Sequence, residues 1–325
     1  MVLVLSRSDL EQLLPMDQTI NVLEQAFREL AEGKVMMIPR SIVVLPKVDG
    51  WIGIMPAYVM NSFATKIVTL YRKNMEKNLP TIMGTIVLND PETGEVLSIM
   101  DGTFITSMRT GGLGGLAAKY LSRKDSKIVG IFGTGTQAKT QLIALKEVRD
   151  LSRAVVYDTI KERAVSYAKE MQSKLGIPIE VAEKPNDVLK SSDIIVTVST
   201  SKTPLFEGKG LKPGTHLNAF GNYKPDEREL DTETILKSRV FIDLEEAAFS
   251  EAGDLLIPIK EGKFRKDQIE GTLGEVIIGS KRGRSSPDEI TLFKSVGLGI
   301  QDCATAALAY KIARQNKVGV EIQLS

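Results

Sequence analysis

The chain has 325 residues, with 42 Lys and Arg against 41 Asp and Glu, one histidine (His216) and one cysteine (Cys303). One cysteine cannot form an intrachain disulfide, and a lone Cys/His pair falls short of the ligand set of a structural zinc site. A net charge near zero gives no long-range attraction to nucleic acid or to an anionic membrane. Chemistry here must run on Lys, Arg, Asp, Glu, Tyr or a borrowed cofactor.

The length suggests about two domains, and a hydrophobic fraction of 42% is enough for real cores. Residues 1–5 form a short apolar run that lacks the basic flank of a signal peptide. No apolar run approaches the roughly 20 residues of a membrane span. The expectation is a soluble cytoplasmic protein without a metal, nucleic-acid or membrane partner.

Near the start, Ser8-Asp9-Leu10-Glu11 has capping-box spacing, and Asp17 is placed to cap a helix whose Ile20, Leu23, Phe27 and Leu30 form one apolar stripe. Beyond Gly33 come strand-like runs at 41–45, 51–55, 64–71, 81–88 and 95–100, with Asn89-Asp90-Pro91-Glu92-Thr93-Gly94 as a hairpin turn. Strands this closely spaced predict an antiparallel or mixed sheet. A helix over 104–121 carries Gly111, Gly112, Gly114 and Gly115. Each glycine costs roughly 1 kcal/mol relative to Ala, so their density points to close approach of another backbone or a ligand.

From residue 127 the rhythm changes to strand 127–132, helix 136–148, strand 154–158 and helix 161–175. Strands at 179–182, 193–198, 216–220 and 240–243 follow, and a helix over 298–315 closes the chain. This alternation predicts an α/β fold with a parallel, doubly wound sheet. In Gly133-Thr134-Gly135-Thr136-Gln137-Ala138 the two glycines clear the approach to backbone amides, and Ala138 lets helix and strand pack closely. The helix N-terminus offers free N–H groups to a pyrophosphate. Asp158 ends the next strand, where an acid accepts hydrogen bonds from a ribose and repels a 2′-phosphate. NAD(H) is therefore expected, with NADP(H) kept open by Lys161 and Arg163.

Several charges lie in apolar settings. Lys66 shares its strand face with Ala64, Val68 and Leu70, so its ammonium must snorkel, pair or lose its proton more easily. Arg109 aligns with Ile105, Gly112 and Leu116 on its helix, and Asp302 with Thr305, Ala306, Ala309 and Ala313. Arg40 heads a strand beside Ile42 and Val44. Together they offer cations for a substrate carboxylate and an acid–base pair. His216 begins a strand, Cys303 reads as a small packing residue, and Met36, Met37 and Trp51 read as core or interface residues.

With these segments assembled, the sequence resembles the ornithine cyclodeaminase/mu-crystallin family over nearly its full length. The matching stretches are Gly53-Ile54-Met55-Pro56-Ala57-Tyr58, Thr65-Lys66-Ile67-Val68, Leu79-Pro80-Thr81, Met108-Arg109-Thr110-Gly111, the turn at 132–138, Glu251-Ala252-Gly253-Asp254-Leu255 and Gly271-Thr272-Leu273-Gly274-Glu275. The resemblance implies a Rossmann-type NAD-binding domain at 121–298. It would be inserted in a discontinuous α+β substrate and dimerisation domain made of 1–120 and 299–325. Lys66 is then the active-site lysine, Arg109 and Arg40 carboxylate contacts, and Asp302 a partner of the substrate nitrogen or of Lys66. Thr110, Thr200, Asn218, Phe220 and Gly221 are expected to join the glycine turn in holding the cofactor.

One segment departs from the cyclodeaminase pattern: Gly221-Asn222-Tyr223-Lys224-Pro225 places Tyr223 where the cyclodeaminases carry an acid. Asn222 and Asp226 are the substitutes to check. The departure favours an imine reductase acting on a small α-imino acid, with Δ1-pyrroline-2-carboxylate to L-proline as the leading reaction, in a homodimer. Alanine dehydrogenase, ornithine cyclodeaminase and a non-catalytic ligand-binding protein are the alternatives.

Overall fold

The computed structural model describes residues 1–324, the side chains of residues 72 and 75 excepted. Two compact units emerge: Met1–Arg109 with the segment from Leu298 onward, and Thr110–Gly297. The family resemblance places the first division at residue 120, near the end of a helix; in the structure it falls inside that helix.

Strand β1 (Val2–Leu5) leads into helices α1 (Arg7–Leu13) and α2 (Met16–Ala31), then strands β2 (Met36–Met37), β3 (Ser41–Leu45), β4 (Gly50–Val59), β5 (Ser62–Tyr71), β6 (Ile82–Asn89) and β7 (Val96–Asp101), and helix α3 (Gly102–Leu121). Ser6, not Ser8, caps α1. Its hydroxyl accepts the Asp9 N–H at 3.3 Å, and the Asp9 carboxylate accepts the Ser6 N–H at 2.8 Å. The apolar run of β1 ends at Leu5, so the chain turns at Ser6 and uses the earlier of two serine–acid spacings. Asp17 likewise lies within the first turn of α2, whose N-cap is Pro15 with no side-chain cap. Ile20, Leu23 and Phe27 are buried along α2, each contributing about 1.5–3 kcal/mol, while Leu30 stays partly exposed.

β4 to β7 form antiparallel pairs, and β1 joins β7 in parallel, so the sheet is mixed. In the β6–β7 hairpin the Asp90 carboxylate accepts the N–H groups of Glu92 and Thr93, and Gly94 takes a φ of +78°.

The second unit continues with β8 (Ile128–Phe132), α4 (Thr136–Val148), β9 (Arg153–Tyr157), α5 (Lys161–Leu175), β10 (Ile179–Val181), α6 (Pro185–Ser191), β11 (Ile194–Thr197) and β12 (His216–Ala219). After them come α7 (Thr232–Lys237), β13 (Ser238–Ile242), α8 (Glu245–Glu251), α9 (Gly253–Lys260), β14 (Ile269–Thr272), α10 (Leu273–Ile277) and β15 (Ile290–Lys294). Among the described residues its strands run in the order β10-β9-β8-β11-β12-β15-β13-β14, each pair parallel. Helices on both faces bury apolar clusters, one around Val129, Ile131, Leu142 and Met171, the other around Phe132, Leu189, Leu217 and Leu255. The strand order reverses between β8 and β11, which opens a crevice beyond their C-terminal ends.

Helix α11 (Gly299–Asn316) and strand β16 (Val320–Ile322) return the chain to the first unit, where β16 pairs antiparallel with β1. No helix among the described residues is long and apolar enough to cross a membrane.

The glycines of α3 admit a second helix at close range. Within the second unit, a Cβ on Gly111 would meet the Thr140 backbone of α4 at 2.5 Å, and one on Gly114 would strike the Gln141 carboxamide. Gln141 donates to the Thr110 carbonyl at 3.0 Å through that gap. Gly111→Ala gains roughly 1 kcal/mol of helix propensity and loses more to the clash, for a net destabilisation of about 1–3 kcal/mol in urea unfolding. Unchanged or increased stability would mean that the helices part freely.

Candidate active site

Lys66 points inward from β5 between Ala64 and Val68, on a face that burial makes dry. Asp302 sits in the first turn of α11, and Arg109 on α3. Gly299 lets α11 start close to β4: a Cβ there would lie 3.1 Å from the Ala57 Cβ and 3.3 Å from the Pro56 carbonyl. As a result Lys66 Nζ lies 2.5 Å from Asp302 Oδ2, and Arg109 Nε lies 3.0 Å from Asp302 Oδ1. The Lys66 and Asp302 side chains are each 2% exposed, and that of Arg109 7%. Arg109 Nη1 donates to Gln301 Oε1 at 2.6 Å. Its Nη2 makes no hydrogen bond among the described residues.

Burial pulls the Lys66 ammonium down to about 7; Asp302 opposes that pull, and the charges of Arg109 and Arg40 add to it. Burial also works against an ionised Asp302, but the Arg109 and Lys66 cations outweigh it and hold the carboxyl below its ordinary range. The structure thus brings Lys66, Arg109 and Asp302 into contact, with half-buried Arg40 acting on Lys66 through its charge. Gln301 had no signal in the sequence, because a lone polar residue in a small-residue helix has no pattern to stand out from.

In the second unit Gly133 takes a φ of +89°, and a Cβ there would lie 2.9 Å from the Val198 carbonyl. Gly135 is the N-cap of α4 with open space around it, and no side chain caps the helix. Uncapped N–H groups beside a cleared loop suit a phosphate. Thr136, Gln137 and Ala138 form the first turn of α4, and Ala138 is buried with its carbonyl accepting the Tyr167 hydroxyl at 2.9 Å. The Asp158 carboxylate accepts from Thr134 N–H at 2.9 Å, Thr134 Oγ1 at 2.8 Å and Ile160 N–H at 3.0 Å. Burial alone would raise this carboxyl; those donors and Arg163 bring it below its ordinary range. Lys161 is drawn to Glu183 at 2.7 Å instead.

Thr110 is buried and Thr200 exposed. Phe220 is half-buried, edge-on to Phe293. Asn218 is sealed inside: its amide donates to the Gly114 carbonyl at 2.9 Å and its oxygen meets His216 Nε2 at 3.1 Å. Its side chain is therefore not presented to a ligand, a departure from the expected direct contact. Burial pushes His216 down to about 3, so the ring is neutral and serves packing. Cys303 is buried, and burial pushes its thiol up to about 12.

Beyond the ends of β11, β12 and β15 lies a second buried charge network that the sequence did not disclose. Lys294 Nζ lies 2.7 Å from Asp254 Oδ2 and donates to the Asn222 carbonyl at 2.5 Å. Asp254 Oδ1 accepts the N–H groups of Glu229 and Leu230. Glu229 accepts from Ser199 N–H and Oγ through one oxygen and from Gly221 N–H through the other. Burial raises the Glu229 carboxyl to about 7, and neighbouring Asp254 adds to the effect. Asn222 is thus tied up internally, Tyr223 packs on the apolar cluster of this unit, and Asp226 is exposed. Among the described residues no three His, Cys, Asp or Glu side chains are grouped to hold a metal ion.

The family model of the ornithine cyclodeaminase/mu-crystallin family matches residues 1–317. A Δ1-pyrroline-2-carboxylate reductase of Bacillus cereus is 36% identical over 99% of this chain and 100% of its own length. The solved Δ1-pyrroline-2-carboxylate reductase of Thermococcus litoralis, in complex with NADH and L-proline, superposes with a TM-score of 0.96 at 46% identity, covering 99% of this chain and 100% of that one. An archaeal alanine dehydrogenase dimer with bound NAD gives 0.94 at 38% identity, covering 100% of this chain and 99% of that one. The chain belongs to the ornithine cyclodeaminase/mu-crystallin family.

Removing one partner of a buried ion pair strands the other. Lys294→Met leaves Asp254 and Glu229 without their cation and should destabilise the protein by about 3–5 kcal/mol in urea unfolding. The loss should grow with rising pH, since protonation relieves an unpaired carboxylate. A loss under about 1 kcal/mol would mean that water or a rearranged side chain reaches the carboxylates.

Proposed function

We propose that this protein reduces a small cyclic α-imino acid with NADH, Δ1-pyrroline-2-carboxylate to L-proline being the leading reaction. The first unit would hold the substrate and the second the cofactor. The observation that carries this reading is the buried Lys66–Asp302–Arg109 cluster, in which Arg109 keeps Nη2 uncommitted among the described residues. The names of the Thermococcus and Bacillus relatives support the same reaction.

The second unit fits a dinucleotide at Gly133, Gly135 and the uncapped start of α4, with Asp158 placed for a ribose and against a 2′-phosphate. NADH, when bound, supplies the hydride that the imine carbon accepts. Arg109 offers Nη2 to the substrate carboxylate, with Asp302 and Gln301 holding its other edges. Arg40 adds positive charge nearby. Lys66 gives its proton to the imine nitrogen, whose π bond opens as the carbon gains its new C–H bond. Asp302 orients the Lys66 ammonium and stabilises its charged form.

A homodimer accompanies this reading. On one face of the first unit's sheet Val43, Ile54, Ile67 and Met83 are exposed, an apolar patch of the kind that marks an interaction surface. Ile54 and Ile67 are direct register partners, and the similar archaeal alanine dehydrogenase was solved as a dimer. Ile67→Asp should shift the mass measured by light scattering from dimer to monomer; an unchanged dimer would exclude this face.

NADH oxidation should be fastest with Δ1-pyrroline-2-carboxylate and independent of ammonia, in a screen that includes Δ1-piperideine-2-carboxylate, pyruvate with ammonia, and an ornithine control for ammonia release. Turnover with pyruvate and ammonia alone would make the protein an alanine dehydrogenase. Lys66→Ala should lower kcat by about a hundredfold or more and leave NADH binding intact. In the wild type, kcat/KM should fall as pH rises through about 7, where Lys66 loses its proton. Unchanged turnover in Lys66→Ala would remove the role given to the lysine.

A further inference from the structure

We propose that Gln301 is a positioning and charge-setting residue: it fixes the plane of Arg109, and its neutrality leaves the cluster with one positive charge in excess, matched to a substrate bearing one carboxylate. The proposal rests on the functional reading above.

Gln301 is the third residue of α11 and is fully buried. Its oxygen must face Arg109, because an amide NH2 in that place would oppose the N–H donors of the guanidinium. Nε2 is thereby turned to a position where it is buried without a hydrogen-bond partner among the described residues. A buried donor left unpaired is a standing cost to stability. Glutamate has almost the same shape, would bind Arg109 through a charge-assisted bond and would leave no orphan N–H. By local stability alone, glutamate is the better residue.

The electrostatics explain why an amide is kept. Lys66 faces Asp302 from α11, Arg109 from α3 and Arg40 from the segment ahead of β3. Counting the groups in direct contact, protonated Lys66 and Arg109 stand against Asp302 alone. A carboxylate at 301 would cancel the remaining charge, occupy Arg109 more fully and hold the proton on Lys66 more tightly. All three effects oppose capture of a carboxylate and delivery of a proton near neutrality. Arg109 is held at Nε by Asp302 and at Nη1 by Gln301, which fixes its plane while only one of the two holders carries a charge, and Nη2 has no partner among the described residues.

The test uses NADH-loaded Gln301→Glu and Gln301→Met. KM and kcat are measured with Δ1-pyrroline-2-carboxylate across pH, and calorimetry follows pyrrole-2-carboxylate, a planar monocarboxylate that the reaction cannot reduce. Gln301→Glu should raise KM and the Kd of pyrrole-2-carboxylate by about tenfold or more, move the alkaline limb of the rate profile to higher pH, and keep NADH affinity. Gln301→Met, which removes the acceptor but adds no charge, should raise KM by about threefold or more without moving that limb. Values within about twofold of wild type and an unmoved limb in Gln301→Glu would overturn the proposal. NADH titration reports whether each variant folds; if Gln301→Glu does not, an unchanged KM in Gln301→Met overturns it alone. A wild-type protein that neither binds pyrrole-2-carboxylate nor reduces any of the imino acids would remove the functional reading, and this proposal with it.

Discussion

An ammonium taken out of water on an apolar strand face is the constraint around which the first unit is built. Isolated, a buried charge of this kind costs several kcal/mol, so it must be paired or give up its proton more readily. Lys66 does both. The pairing carboxylate does not come from the strands around it but from α11, more than two hundred residues later in the sequence. This gives the discontinuity of the first unit a physical meaning. The C-terminal segment is more than a cover for the sheet: it brings the counter-ion, and Gly299 removes the side chain that would hold that counter-ion away.

The second unit applies the same solution to a different end. Lys294 closes an apolar strand and pairs with Asp254, as Lys66 pairs with Asp302. Burial of charge therefore does not by itself mark a reactive group. The difference lies in what is left over. Lys294 is held by Asp254 and by the Asn222 carbonyl, and the neighbouring carboxylates are committed to backbone N–H groups of the loops after β11 and β12. In the first unit Arg109 retains an edge with no partner among the described residues. One network ties loops down; the other leaves a cationic group without a full set of partners among the described residues.

Two helices of the parallel unit, α4 at 136–148 and α5 at 161–175, were legible to the residue, because a glycine turn opens the first, Gly176 closes the second and their apolar faces keep a helical period, whereas the short helices α6 to α10 were not. Lys66 and Arg109 were legible because each is a charge in an apolar pattern. The glycines of α3 signalled a close neighbour, and α4 is that neighbour. Strands β14 and β15 went unread, since their short runs sit among turns with no alternation to separate them. Pair partners were also hidden. Glu229 lies in a polar run that reads as a solvated face, yet it is fully buried because Ser199, Gly221 and Asp254 come to it from three other segments. Gln301 belongs to the same class: its role is set by a guanidinium nearly two hundred residues away in sequence.

The single cysteine has one more consequence. Oxidants, alkylating agents and disulfide exchange attack the thiolate and need access to it. Cys303 is enclosed and keeps its proton through the physiological range. The chain therefore offers no reactive thiol to glutathione, peroxide or a partner thiol. A thiol switch is thus closed to it, and the reducing state of the cell reaches this enzyme as the ratio of reduced to oxidised nicotinamide, a concentration signal, instead of as a mark on its cysteine.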